Sequence, residues 1–190
     1  MVPEGFFWLN EPQAVEFDGG LIITTRPKTD FWQRTHYGFR RDDGHALLTR
    51  RAGDFALETA TEFWPRAQYD QCGLMVRVDG DNWIKAAVEY EDARLSRLGS
   101  VVTNLGFSDW ATQDISSEVR AMRYRMSRRG VDFLLEWSAG GDWHQMRVAH
   151  LHALAEGAEV DVGVYACSPT GEAFRCRFAS IDLGESRWES

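Results

Sequence analysis

The chain has 190 residues, with 21 Lys and Arg against 29 Asp and Glu, for a formal net charge of −8. That balance argues against a protein whose main task is gripping nucleic acid or an anionic membrane surface. Hydrophobic residues make up 44% and aromatics 13%, with eight Trp, so a sizeable core is expected rather than wholesale disorder.

In chain order, the N-terminal stretch carries Glu4 and Glu11 and no basic residue, and the apolar run Phe6 to Leu9 is too short for a secretory leader. No stretch approaches the ~20 apolar residues of a membrane helix. The expectation is a soluble, cytoplasmic protein. Leu57 to Phe63 alternates weakly, and Gly73 to Val78 is a near-continuous apolar run. Asp79-Gly80-Asp81-Asn82 has the composition of a tight hairpin turn. Trp83 to Glu91 then alternates: Ile84, Ala86, Val88 and Tyr90 share one face, and Trp83, Lys85, Ala87, Glu89 and Glu91 share the other. The charged face is expected to front solvent or a ligand groove.

Farther on, Ile115, Val119, Met122 and Met126 lie at helical spacing, which allows a turn of helix near Ser116 to Val119. Arg123 to Ser127 also alternates and suits a strand paired with Val131 to Ser138 across an Arg128-Arg129-Gly130 turn. Val131, Phe133, Leu135 and Trp137 are expected to point inward. Ala139 to Asp142 turns the chain into Trp143 to Val148, and a second helical turn is expected at Ala153 to Glu156. Val160 to Ala166 is a strand stopped by Ser168-Pro169-Thr170-Gly171, and Phe174 to Ile181 closes the series. Turn signals roughly every ten residues give the rhythm of an all-β, two-sheet sandwich. With no linker or repeat, residues 1–190 read as a single domain.

Several local patterns carry more information. They are Trp8-Leu9-Asn10-Glu11-Pro12, Thr29-Asp30-Phe31-Trp32, the run Tyr69 to Arg77, and Trp83-Ile84-Lys85 with Glu89-Tyr90-Glu91. Ser100 to Thr103 with Ser108-Asp109-Trp110, Gly141-Asp142-Trp143 with Arg147, and Gly163 to Pro169 complete the set. In this order they resemble the domain-of-unknown-function family that includes the regulation-of-enolase proteins, over Phe7 to Leu183. The resemblance implies a concanavalin A-like jelly-roll sandwich, an architecture shared with lectins and glucanases. It implies no reaction, since this fold hosts binders and hydrolases alike.

A ligand groove is expected on the concave sheet, formed by Asp30, Trp32, Gln71, Lys85, Glu89, Thr103, Asp109, Trp110, Arg123 and Arg147, with Arg77 beside Gln71. Carboxylates and amides bridge sugar hydroxyls, and a flat aromatic covers the apolar face of the ring. Lys85 and Glu89 lie four apart on a strand, roughly 13 Å at ~3.3 Å per residue, so each needs partners on neighbouring strands. An Arg beside Glu89 would lower its pKa, suiting binding or nucleophile work and opposing a general-acid role. Glycoside hydrolysis needs two carboxyls about 5–9.5 Å apart, and Glu89 with an Asp is the candidate pair. The E-x-D-x-x-E signature associated with glucanases of this architecture is absent, because Glu89 is followed by Tyr90, Glu91, Asp92 and Ala93.

Other features have plainer readings. Asp70 and Asp109 suit turn capping as well as ligand contact. Trp83 and Trp143 suit packing. Cys72, Cys167 and Cys176 lack C-x-x-C spacing and read as buried thiols, and nothing basic adjoins Cys167 in sequence. His150-x-His152 lacks a third ligand, so no metal and no cofactor are expected. Arg123, Arg125, Arg128 and Arg129 read as a solvated hairpin rather than a phosphate site. Three functions remain open: a non-catalytic binder of a saccharide or similar hydroxylated metabolite, a glycoside-acting enzyme using Glu89, and a regulatory protein-interaction domain. The oligomeric state is also open, a homodimer included.

Overall fold

The computed structural model describes residues 2–188. Sixteen strands are formed among them. The first eight are β1 (Phe6–Leu9), β2 (Ala14–Phe17), β3 (Leu21–Thr24), β4 (Phe31–Gln33), β5 (Arg40–Asp42), β6 (His45–Arg51), β7 (Phe55–Trp64) and β8 (Gln71–Asp79). Then follow β9 (Asn82–Tyr90), β10 (Leu95–Asn104), β11 (Phe107–Ser116), β12 (Ala121–Arg129), β13 (Asp132–Ser138), β14 (His144–His150), β15 (Val160–Cys167) and β16 (Arg175–Gly184). One seven-stranded antiparallel sheet has the order β1-β6-β15-β8-β9-β10-β11, and a second has β14-β13-β12-β7-β16-β3-β2. The short hairpin β4–β5 stands apart as a third element.

The two-residue period assembles this sandwich. Leu74 and Val76, Ile84, Ala86 and Val88, and Val162 and Val164 point from the first sheet into the shared core. Met122, Tyr124 and Met126, with Phe133 and Leu135, meet them from the second. The opposite face of the first sheet is apolar too. Met75, Trp83, Ala87, Val101 and Tyr165 form a second cluster with Phe31 and Trp32 of the hairpin. Trp83 is fully buried there, its ring 6.2 Å from that of Phe31. The alternating face of Trp83–Glu91 is therefore roofed by residues 26–44 rather than left to solvent.

The roof is pinned at several points. Arg77 holds Asp42 with two hydrogen bonds of 2.8 and 2.7 Å. Asn10 Nδ2 donates to the carbonyls of Asp42 and Gly44 at 2.9 and 3.0 Å. Gln33 Nε2 donates to Gly80 O, and Gln33 N donates to Ser108 Oγ, both at 2.9 Å. Gly44 is required where it stands, since a Cβ there would lie 2.3 Å from the Phe31 ring.

Both expected helical turns are absent; no helix occurs among the described residues. Ile115 and Ser116 pair with Ser96 and Leu95 as part of β11, and the chain then turns at Ser117 and Glu118. Met122 and Met126 are four apart, which satisfies a strand's period as well as a helix's, and both are buried on β12. Residues 151–158 form two separate turns, closed by Leu154 N to Leu151 O and Ala158 N to Ala155 O. No helix among the described residues is long and apolar enough to cross a membrane.

Candidate functional site: a cavity between the hairpin and the sheet

Between the hairpin and the outer face of the first sheet lies a cavity of about 470 Å³. Its floor comes from β8 and β9: Gln71, Lys85 and Glu89. The hairpin contributes Asp30, Trp32, Tyr37, Phe39 and Arg41. Tyr69, Val101 on β10, Trp110 on β11, and Pro169 with Thr170 complete the wall. Tyr37 and Phe39 stack at 5.7 Å, and Trp32 meets Tyr37 edge-on at 5.5 Å. The wall is thus predominantly aromatic, with a compact polar floor.

The floor is one hydrogen-bonded chain. Lys85 Nζ donates to Gln71 Oε1 and to Phe31 O, each at 2.9 Å, and stands 3.6 Å from Asp30 Oδ1. Tyr165 Oη donates to the same Gln71 oxygen at 3.0 Å. With two donors on its oxygen, the Gln71 amide has one orientation, and its Nε2 donates to Glu89 Oε2 at 2.6 Å and to Tyr69 O at 3.0 Å. Gln71 and Glu89 are opposite each other in the β8–β9 register, which sets this contact. Burial pushes the Glu89 carboxyl up from 4.5 to about 7. The Lys85 charge and the Gln71 amide oppose that rise, and Asp30 and Glu91 add to it.

The partner of Glu89 on the neighbouring strand is Gln71, not an arginine. Arg97 faces Glu89 in the β9–β10 register, but its guanidinium turns to Asp114 at 2.5 Å and Glu91 at 3.6 Å. The sign of the pKa shift reverses accordingly.

Six of the ten expected residues line the cavity: Asp30, Trp32, Gln71, Lys85, Glu89 and Trp110. Four do not. Thr103 is fully buried and hydrogen-bonds Ser108 Oγ at 2.8 Å, which in turn holds Gln33 of the hairpin. Asp109 follows the two-residue period to the face opposite Trp110 and pairs with Arg147 of β14 at 2.9 Å, tying the two sheets together. Arg123 lies on the second sheet, 3.8 Å from Glu58 and 4.8 Å from the Trp143 ring centroid. Arg77 serves the hairpin through Asp42. Tyr37, Phe39 and Tyr69 carry no periodic signal in the sequence, the first two being exposed aromatics of the hairpin and Tyr69 a half-buried turn residue.

Asp70 is a buried scaffold for two wall loops. Its Oδ2 accepts from the Arg66 and Ala67 amides at 2.8 and 2.9 Å, and its Oδ1 accepts from Ser168 Oγ at 2.5 Å. Burial raises its pKa against these bonds. The three cysteines are free and buried, and burial pushes the Cys167 thiol well up, away from thiolate chemistry. His150 pairs with Asp132 at 2.6 Å, and no group of three metal-ligating side chains occurs among the described residues. Arg128 is not solvated: it is buried and donates to the carbonyls of Gly130 and Ala158 at 2.7 and 2.8 Å.

Comparison with known proteins adds the family context. A family model described as "Protein of unknown function (DUF1349)" matches residues 8–186. Regulation of enolase protein 1 of Saccharomyces cerevisiae is 34% identical over 182 residues, spanning 93% of this chain and 87% of that protein. A crystal structure of a functionally unknown protein from Saccharomyces cerevisiae superposes with a TM-score of 0.87 at 31% identity, covering 95% of this chain and 96% of that one. The GH43 BlXynB protein from Bacillus licheniformis superposes at 0.75 with 14% identity, covering 97% of this chain and 37% of that one, a likeness of fold alone.

Proposed function

The chain belongs to the DUF1349 family of proteins of unknown function, and from that starting point we propose that it is a cytoplasmic protein binding a small hydroxylated ligand, a saccharide or similar metabolite, beneath the β4–β5 hairpin. The observation that carries this reading is the pairing of aromatic walls with a rigid polar floor in one cavity of about 470 Å³. That volume falls within the roughly 300–1,000 Å³ range of small-molecule sites. Aromatic faces cover the apolar side of a sugar ring, and a floor already locked by Lys85 and Tyr165 loses little freedom on binding. A thermal-shift screen of saccharides, polyols and sugar acids tests it. A ligand at about 100 times its Kd is expected to stabilise the protein by ~2.7 kcal/mol, and Trp110→Ala is expected to weaken the effect. A screen in which no compound shifts the transition would overturn the proposal.

A second reading, cleavage of a glycosidic bond, is favoured by Glu89. Its pKa of about 7 leaves a proton available near neutrality. Since Oε2 accepts from Gln71, that proton belongs on Oε1. Turnover of aryl glycosides that Glu89→Gln abolishes would support this reading; binding without turnover would leave it behind.

A further inference from the structure

Building on the binding reading, we infer that the ligand carries a cationic amino group, as an amino sugar or comparably hydroxylated amine does, held by Asp30 and Glu89. The reason lies in which polar atoms are already engaged. Both N–H groups of the Gln71 amide and both lone pairs of its oxygen have partners. Lys85 is directed at Phe31 O, Gln71 and Asp30. The Trp32 indole donates to Thr35 O at 3.1 Å, and Arg41 is turned to Asp43 at 2.8 Å. On the walls, the Trp110 indole and the Tyr37 and Tyr69 hydroxyls have no partner among the described residues, whereas the charged and amide donors that reach the cavity floor are committed within the protein.

The acceptors are not. Asp30 Oδ1 accepts from its neighbour Phe31 N at 2.7 Å, and Glu89 Oε2 accepts from Gln71, leaving Asp30 Oδ2 and Glu89 Oε1 without a hydrogen-bond partner among the described residues. Neither belongs to the sealed, orphaned buried atoms, and both residues line the cavity, so a ligand can reach these two oxygens. Lys85 is one positive charge facing Asp30 and Glu89, and an ammonium arriving beside Glu89 favours its ionised form over the protonated form that burial supports near neutrality. An ammonium offers donors and no acceptor, which matches these two oxygens. The faces of Trp32, Tyr37, Phe39 and Trp110 attract cations as well as sugar rings. A neutral sugar gains the rings but makes no ion pair with either carboxylate.

Isothermal titration of the intact protein with glucosamine, N-acetylglucosamine and glucose, and with their β-1,4-linked disaccharides, isolates the amino group on a constant frame. The amine forms are expected to bind about tenfold tighter than the acetylated and hydroxyl forms, the scale of one hydrogen bond to a charged group. Glu89→Gln and Asp30→Asn, which are near-isosteric, are each expected to erase most of that preference while circular dichroism stays unchanged. Equal affinity for the three forms would overturn the inference and leave the binding reading standing. Absence of binding by every form at millimolar concentration would overturn both.

Discussion

Gln71 and Glu89 sit opposite each other on β8 and β9, and the Gln71 amide nitrogen donates to the Glu89 carboxylate at 2.6 Å. Two donors on the far side of the same amide, Lys85 and Tyr165, dictate that orientation. Replacing Gln71 with Ala would leave a buried ammonium, a buried phenol and a carboxylate short of partners at once. Gln71→Ala is expected to lower unfolding stability by about 2–4 kcal/mol in urea titration. Tyr165→Phe, which removes only one of the two donors, is expected to cost about 1 kcal/mol.

The pH dependence follows from Glu89. Its carboxyl titrates at about 7 in the folded protein and at 4.5 when unperturbed, so the folded state holds the proton more tightly. The groups facing it are Lys85 on its own strand, Glu91 just past the end of that strand, Gln71 on β8, Arg97 on β10 and Asp30 in the hairpin. Stability contributed by the proton is present at low pH and lost as pH rises from about 4.5 to about 7. Glu89→Gln has no proton to lose. The melting temperature of Glu89→Gln minus that of the wild type should therefore rise across this window and level off above it. A flat difference would contradict the burial that raises the pKa.

Asp70 supplies a different test. Its two oxygens accept three hydrogen bonds from Arg66, Ala67 and Ser168. In Asp70→Asn one side of the group becomes a donor facing donors. The variant is expected to lose about 1–3 kcal/mol of stability, read by thermal denaturation. Ligand affinity is also expected to fall, since Tyr69 and Pro169 adjoin the bonds that break.

Gly44 controls the fit of the roof. An alanine Cβ there would meet two atoms of the Phe31 ring at 2.3 and 2.5 Å. Gly44→Ala is expected to cost about 1–3 kcal/mol and to speed amide exchange at Gln33 and Arg34. Gly141→Ala, where nothing lies within 4 Å of the added carbon, is expected to stay within about 0.5 kcal/mol of the wild type.

Much of the sandwich was legible because strands report themselves locally. Ile84, Ala86 and Val88 face the shared core and Lys85 and Glu89 the other side, as alternation requires. What alternation does not encode is which sheet a strand joins. Arg123 and Arg147 belong to the second sheet and do not line the cavity. Nor does it encode which of two neighbours captures a side chain. Gln71 and Arg97 are both in register with Glu89, and only the pull of Glu91 and Asp114 removes Arg97. The roof itself was hidden. Its tip, residues 34–38, is built on left-handed backbone at Arg34, His36 and Gly38, so Tyr37 and Phe39 reach the cavity without any period to announce them.

The central claim is the location of the ligand. Amide chemical-shift mapping by two-dimensional NMR, during titration with the glucosamine disaccharide, addresses it residue by residue. Shifts confined to residues 30–41, 69–71, 85–89, 110 and 169–170 are the expected result. Shifts centred instead on Arg123, Trp143 and the outer face of β12–β14, or on no region at all, would contradict it.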